Sequence, residues 1–185
     1  MTSTSAAQPS RIVIIGASLA GASAAVALRE QGYDGELTLI GDETDLPYER
    51  PPLSKAVLLG DANEPDWVKD EAYYADQNIA LARGTVASRI DRDRRVVVTS
   101  GAEYGYDRLL LATGSTPRRL NVPGGDLDGL LTLRTYPDSL ALRSRLTAGA
   151  ASFSHRTGAK ACRNFFVICS STRIAPPPPK PRILT

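Results

Sequence analysis

At 185 residues, with 42% apolar and 23% charged side chains, the chain is long enough to bury one core and is ordinary in composition for a globular domain. The net charge of +2 hides an uneven distribution: residues 151–185 carry six basic side chains and no acid, while residues 1–150 carry 16 basic against 20 acidic ones. Both cysteines, the single histidine and all three phenylalanines also fall after residue 150. The first 150 residues therefore hold no disulfide, no Cys/His zinc site and no Ser/His/Asp triad, and chemistry there has to come from a bound cofactor.

Taken in chain order, residues 1–10 (MTSTSAAQPS) are polar and lack the basic and apolar regions of an export signal, so a loose, cytoplasmic-type terminus is expected. Residues 12–28 carry no charge, but they are rich in Ala, Gly and Ser and sit at the short limit for a bilayer span. A strand followed by a helix is the better account, and no membrane association is expected. RIVII, from Arg11, is β-branched without helical period, as suits a strand buried on both faces. The alanine-rich run after it ends at Gly32, a suitable helix stop, and ELTLI, from Glu36, makes a second strand. Together these form a βαβ unit with parallel strands.

Further on, SKAVLLG and EPDWVKDEAYYADQ have the look of short helices, with Trp67 and Tyr73 packing. TVASRID, RRVVVTS and YDRLLLATG are strand-like, and SGAEYG supplies a hairpin turn, which predicts a β-meander followed by a central strand. A Gly-rich loop over residues 124–134 leads to one more short strand, and DSLALRSRLTAG has helical spacing with Leu140, Leu142 and Leu146 near one face. The expected fold class is α/β: a Rossmann-like βαβ unit with a parallel sheet plus a β-meander. The expected divisions are 1–10, a loose terminus, 11–150, the nucleotide-binding domain, and 151–185, an irregular, basic, Pro-rich tail.

At the first strand-to-helix turn stands Gly16-x-Ser18-x-x-Gly21, a dinucleotide fingerprint with serine at the middle glycine. In such turns the first glycine permits the bend, the middle position lets backbone approach a pyrophosphate, and the last allows close helix packing. The helix start then offers free N–H groups and a partial positive charge to phosphate. A strand precedes the turn, a helix follows it, and Asp42 ends the next strand about 20 residues on, where an acid can accept from both ribose hydroxyls of an adenosine. Asp42 is preferred to Glu43 because it comes first, although spacing alone leaves the neighbour open. Both acids are also compatible with a plain solvated loop, and the glycine turn with one packed tightly for fold reasons alone.

Residues 47–55 read PYERPPLSK, with two prolines between an arginine and a lysine. Fixed φ at Pro51 and Pro52, and the restriction they place on the preceding residue, predict that Arg50 is held extended. If adenosine lies at Asp42 and pyrophosphate at the Gly16 turn, the remaining ligand runs toward this arm. Arg50 and Lys55 then present two cations to a ligand longer than adenosine.

The four words RIVIIGASLAG, PYERPPLSK, YDRLLLATGSTPR and LRT stand in the order and at about the spacing of a known family. In them the chain, from Arg11 to about Gly149, resembles the FAD-dependent ferredoxin and rubredoxin reductases of the pyridine nucleotide-disulfide oxidoreductase superfamily, which includes the apoptosis-inducing factor. The resemblance implies FAD as cofactor, with Gly16, Ser18, Ala20 and Gly21 around the pyrophosphate and Asp42, with Glu43 beside it, at the adenine ribose. It further implies Arg50 and Lys55 beside the ribitol and flavin ring, Val86 meeting adenine through its backbone, and Ala112, Thr113 and Gly114 closing the pocket. Lys55 is the catalytic candidate, a fixed charge for the anion that reduction by NAD(P)H leaves on the flavin. The implied partner is a ferredoxin or rubredoxin-type iron–sulfur protein. No metal site and no nucleic acid is expected, and the absence of any Cys pair before residue 150 argues against the disulfide-reducing branch.

After residue 150 the family's second, nicotinamide-binding glycine fingerprint is missing, and the composition changes at once. Residues 151–185 are read as an out-of-frame or spliced end. The weaker alternative is a natural basic extension, with PPPPKP as a polyproline II ligand for an SH3-type partner. The expectation is a truncated, FAD-binding part of an NAD(P)H-dependent ferredoxin reductase. Its rivals are a non-catalytic nucleotide-binding remnant lacking the NAD(P)H domain and half of an NAD-binding dehydrogenase.

Overall fold

Strand β1 (Arg11–Ile15) buries four of its five residues, and its two faces feed two different cores. Side chains alternate across a strand, so Ile12 and Ile14 face one way and Val13 and Ile15 the other. The computed structural model that shows this describes residues 9–117, 123, 130–146, 151–156 and 164–169, the last two segments as backbone. It forms two units, Met1–Thr116 and Pro117–Thr185.

In the first unit β1 is followed by helix α1 (Leu19–Glu30) and strand β2 (Glu36–Ile40). The later elements are helices α2 (Ala56–Leu59) and α3 (Glu71–Asp76), strands β3 (Ile79–Ala82) through β6, and β7 (Arg108–Leu111). The parallel sheet has the order β3-β2-β1-β7. Register runs Arg11↔Glu36 to Ile15↔Ile40 on one side of β1 and Ile12↔Arg108 to Ile15↔Leu111 on the other. Among the described residues β7 therefore stands at the sheet margin and β1 in the middle, where β7 was expected to be central. The stretch expected as a possible membrane span is divided between β1 and α1, and among the described residues no helix is long and apolar enough to cross a bilayer.

One core joins Ile12 and Ile14 to Ala22 and Ala25 of α1, Leu37 and Leu39 of β2, Tyr33, Tyr74 and Ile79. The small side chains of α1 let its axis come close to the sheet: a Cβ on Gly21 would overlap the Gly16 carbonyl oxygen. The other core joins Val13 and Ile15 to Ile40, Val97 and Tyr106. It is roofed by the antiparallel meander of β4 (Ala87–Asp91), β5 (Val96–Thr99) and β6 (Glu103–Gly105). The hairpin turn falls where SGAEYG predicts it, closed by the Thr99 hydroxyl, which donates to the Ala102 carbonyl at 2.8 Å and accepts from its N–H at 3.0 Å.

Two local expectations are overturned. Arg50 is not extended: its φ of −83° and ψ of −27° are helical, and Pro51–Ser54 form a 3₁₀ turn that it caps. Proline disfavours helix for the residue before it, but it also suits the first position of a helical turn, where its missing N–H costs nothing, and here the second effect wins. The segment EPDWVK is not helical either; Trp67 pairs with Tyr48 in an isolated antiparallel bridge, and only Glu71–Asp76 is helix, capped by the Asp70 side chain at Tyr73 N–H, 2.8 Å.

In the second unit β8 (Leu130–Leu133) precedes α4 (Tyr136–Arg145). Helix α4 opens on a capping box in which the Thr135 hydroxyl accepts from Asp138 N–H and the Asp138 carboxylate accepts from Thr135 N–H. Leu142 is fully buried and Leu140 half-buried, whereas Leu146, at the helix end, is exposed. The tail expected to be irregular contributes two strands, β9 (Ala151–Arg156) and β10 (Asn164–Cys169), in an antiparallel sheet of order β8-β10-β9. Its remaining residues, like most of the 124–134 loop and residues 1–8, lie outside the described ones.

Candidate functional site

Gly16 leaves β1 with φ of +114°, a conformation that favours glycine, and its N–H donates to the Ile40 carbonyl at 2.8 Å. A second constraint acts on it: a Cβ there would overlap the Ala112 carbonyl oxygen, because the chain leaving β7 crosses directly against the turn. Ser18 is the N-cap of α1 with extended backbone, but its side chain makes no capping bond. Helical geometry leaves the N–H groups of Leu19, Ala20 and Gly21 without intrahelical acceptors, and no acidic residue occupies the first turn. The opening of α1 is thus positive and not neutralised by its own sequence.

Beside this turn lies a cleft of about 140 Å³, lined at its base by Ile15 and Gly16 and on its flanks by Ile40, Asp42, Thr85, Val86 and Thr113. The chain leaving β2 is tied to the end of β3 and to the approach of β4. Gly41 N–H donates to Ala82, Thr85 N–H to Gly41 and Gly84 N–H to Glu43, at 2.7–3.0 Å. These bonds bring Asp42 and Val86, 44 positions apart, to one rim. Val86 is 59% exposed, apolar surface that a ligand in the cleft would cover.

Of the predicted site residues, Gly16, Asp42, Val86 and Thr113 line this cleft, Ala112 is bonded to Ile15 at its edge, and Gly114 follows with φ of +67°. Ser18, Ala20 and Gly21 belong to the adjoining start of α1, where Ala20 is exposed. Glu43 separates from its neighbour Asp42. Its carboxylate is held by Arg50 Nη2 at 2.6 Å and by the Tyr48 hydroxyl, whereas Asp42 is on the cleft. Arg50 Nη2 also donates to Ser18 Oγ at 2.6 Å, which brings the proline-containing arm to the fingerprint turn rather than beyond it. Lys55 ends the 3₁₀ turn as an exposed side chain and is not part of the cleft lining.

Thr85 and the Glu43–Tyr48 pair were not singled out from the sequence. Thr85 carries no motif signal, and Tyr48 stands in a loop whose partners are fixed by tertiary pairing. Among the described residues no group of three His, Cys, Asp or Glu side chains is arranged to hold a metal ion.

A parallel sheet with a glycine turn at its middle strand and a cleft at the strand ends defines the Rossmann-like α/β class. Residues 10–168 match the family described as pyridine nucleotide-disulphide oxidoreductase, and the chain belongs to that family. The match runs past the change of composition at residue 150. The chain is 49% identical over 139 residues to the biphenyl dioxygenase system ferredoxin–NAD(+) reductase component of Paraburkholderia xenovorans strain LB400, covering 75% of this chain and 34% of that protein. It is 42% identical over 142 residues to a rubredoxin–NAD(+) reductase of Pseudomonas putida, covering 76% and 37%. Among solved structures, the reductase of the covalent putidaredoxin reductase–putidaredoxin complex superposes with a TM-score of 0.70 at 40% identity, covering 76% of this chain and 35% of that one. The chain thus spans about a third of the length of the relatives it matches.

Proposed function

We propose that residues 11–150 bind FAD as the N-terminal part of a flavoprotein of the NAD(P)H-dependent ferredoxin reductase type. The observation that carries this is the convergence of three features at the ends of β1, β2 and β7: a cleft with the Asp42 carboxyl group on its rim, an unneutralised helix opening beside it, and a guanidinium held at that opening. The donor set fits a dinucleotide. N–H groups of α1 and the Arg50 guanidinium suit a diphosphate, the Asp42 carboxylate suits two ribose hydroxyls, and the apolar Val86 with main-chain groups around it suits an adenine edge. Glycine at 16 leaves no side chain between the turn and the ligand.

Bound FAD would supply the redox chemistry, hydride acceptance from a nicotinamide nucleotide and electron transfer to an iron–sulfur partner of the ferredoxin or rubredoxin kind. The tasks of this chain are to hold the nucleotide end, fix the diphosphate and bring cations to its path. Lys55, exposed at the end of the arm, is the charge available for the ring. That assignment rests on the family words around it and on its chemistry as a compact, strongly hydrated ammonium. A cytoplasmic location goes with a nicotinamide-dependent reductase. The division at residue 150 is proposed on composition alone; sequencing the encoding DNA tests it, and an undisturbed frame through codon 185 would remove it.

Purification of the full chain tests the function. A yellow preparation with a flavin absorption spectrum, or uptake of added FAD with quenching of its fluorescence, is the expected result. A colourless, folded protein that binds ADP but takes up no FAD would leave the non-catalytic nucleotide-binding remnant as the correct description, and one that binds neither would refute the nucleotide site. No bleaching by NADH without oxygen is expected, because the second, nicotinamide-binding fingerprint is missing; bleaching would show that the chain alone carries out the reductive half of the reaction.

A further inference from the structure

Two acids follow β2 side by side, and they have different surroundings. Asp42 lines the cleft. One oxygen of Glu43 accepts from Arg50 Nη2 at 2.6 Å, and the other accepts from the Tyr48 hydroxyl. Arg50 Nη1 lies 3.5 Å from that same hydroxyl, and its guanidinium carbon is 5.4 Å from the centre of the Tyr48 ring. Tyr48 itself is 3% exposed and is held from outside by Trp67, edge-on at 6.1 Å, through a backbone bridge. The far end of this chain of contacts is Ser18 Oγ, at the start of α1.

The Glu43–Arg50 pair is more than three-quarters shielded from solvent, with both side chains near 22% exposure. Shielding strengthens charge-assisted bonds and makes their geometry matter. The place where this cation is fixed is informative. A positive guanidinium beside the positive end of a helix is unfavourable until an anion joins them, and nothing in the first turn of α1 supplies one. Glu43 offsets the charge in the free protein while directing the guanidinium, and the serine at the fingerprint's middle position gives it a defined landing point.

Building on the nucleotide-binding proposal above, we propose that Glu43 and Tyr48 are positioning residues. They hold the Arg50 guanidinium against Ser18 so that the site selects a diphosphate-bearing nucleotide over the bare nucleoside, and Asp42 alone serves the ribose. Glu43 thus acts on affinity through Arg50 and does not touch the ligand.

Calorimetric titration of the full chain with ADP and, separately, with adenosine tests this. Glu43→Ala is expected to weaken ADP about tenfold and leave adenosine within about twofold, which corresponds to loss of one charge-assisted contact. Tyr48→Phe keeps the ring against Trp67 and is expected to shift the ADP-to-adenosine ratio in the same direction by a smaller factor. Melting curves of both variants verify that they fold. A parallel loss of ADP and adenosine would overturn the proposal, because Glu43 would then be a ribose ligand or a simple staple of the loop. ADP binding that is unchanged or tightened would overturn it as well, since the acid would then only oppose the phosphate. If the wild type binds adenosine and ADP equally, the positioning role fails while the nucleoside site stands. If it binds neither, the nucleotide proposal itself fails.

Discussion

Gly16 and Gly32 form a matched pair that separates backbone strain from steric contact. Both have positive φ, +114° and +82°, but a Cβ on Gly16 would overlap the Ala112 carbonyl and lie 2.9 Å from Thr113 N, whereas one on Gly32 meets nothing within 4 Å. Alanine at Gly32 therefore incurs the dihedral penalty alone, about 1–2 kcal/mol. Alanine at Gly16 incurs a similar penalty and must also push aside main chain that is bonded to β1 through Ala112 N–H and Ile15 carbonyl, 2.8 Å. Overpacking of that kind adds about 1–3 kcal/mol, so Gly16→Ala is expected to cost about 2–5 kcal/mol in all. Against a usual total of about 5–15 kcal/mol this is a large fraction. Urea unfolding followed by circular dichroism measures both variants by their midpoints at constant slope. Should Gly16→Ala be no more destabilising than Gly32→Ala, the close crossing of the β7 exit over the turn is wrong, and with it the shape of the cleft.

Two further outcomes follow from titratable groups. The Tyr74 hydroxyl is buried without a hydrogen-bond partner among the described residues, and burial pushes its pKa up to about 12. Tyr74→Phe is expected to be neutral or stabilising by up to about 1 kcal/mol, since no bond is lost and a desolvated group is removed. Because the folded protein keeps this proton longer than the unfolded chain, wild-type stability should fall from about pH 10 to about pH 12, and urea midpoints of Tyr74→Phe should lack that part of the decline. Asp107 behaves oppositely: hydrogen bonds from Arg11 and Ser10 N–H and the Arg11 charge hold its carboxyl below the usual range. Its contribution is present above the unfolded pKa of about 4 and is lost as pH falls through the lower folded value, so Asp107→Asn should lower the melting temperature near neutrality and flatten the acid limb of the profile, the two curves converging as pH falls.

The parts legible in the sequence are those in which one local rule suffices. RIVII is read as a doubly buried strand because its apolar residues are continuous, and Gly16 and Gly21 are read as the bend and the close-packing position of the turn because a residue without Cβ fits both roles. β3 was missed: Ile79–Ala82 is four residues long, with burial that does not alternate, and it is a strand because β2 offers it a parallel partner. At Arg50 two proline rules compete, and sequence alone gave the wrong winner. Order along the chain favours Asp42 over Glu43, but the contacts of Glu43 were beyond reach for a different reason. They depend on Tyr48 and Ser18, which are brought to Arg50 by the path of the loop and by the helix start, contacts that leave no periodic trace.

The alternation along β1 has a wider consequence. Because four consecutive residues, Ile12 to Ile15, supply side chains to both the helix-covered and the meander-covered interior, neither layer can open without uncovering part of this one strand. The two layers are thereby joined into a single cooperative folding unit with a shared wall. A one-residue slip of β1 would exchange the two sets of side chains and misfit both interiors at once, so its register is guarded from two sides.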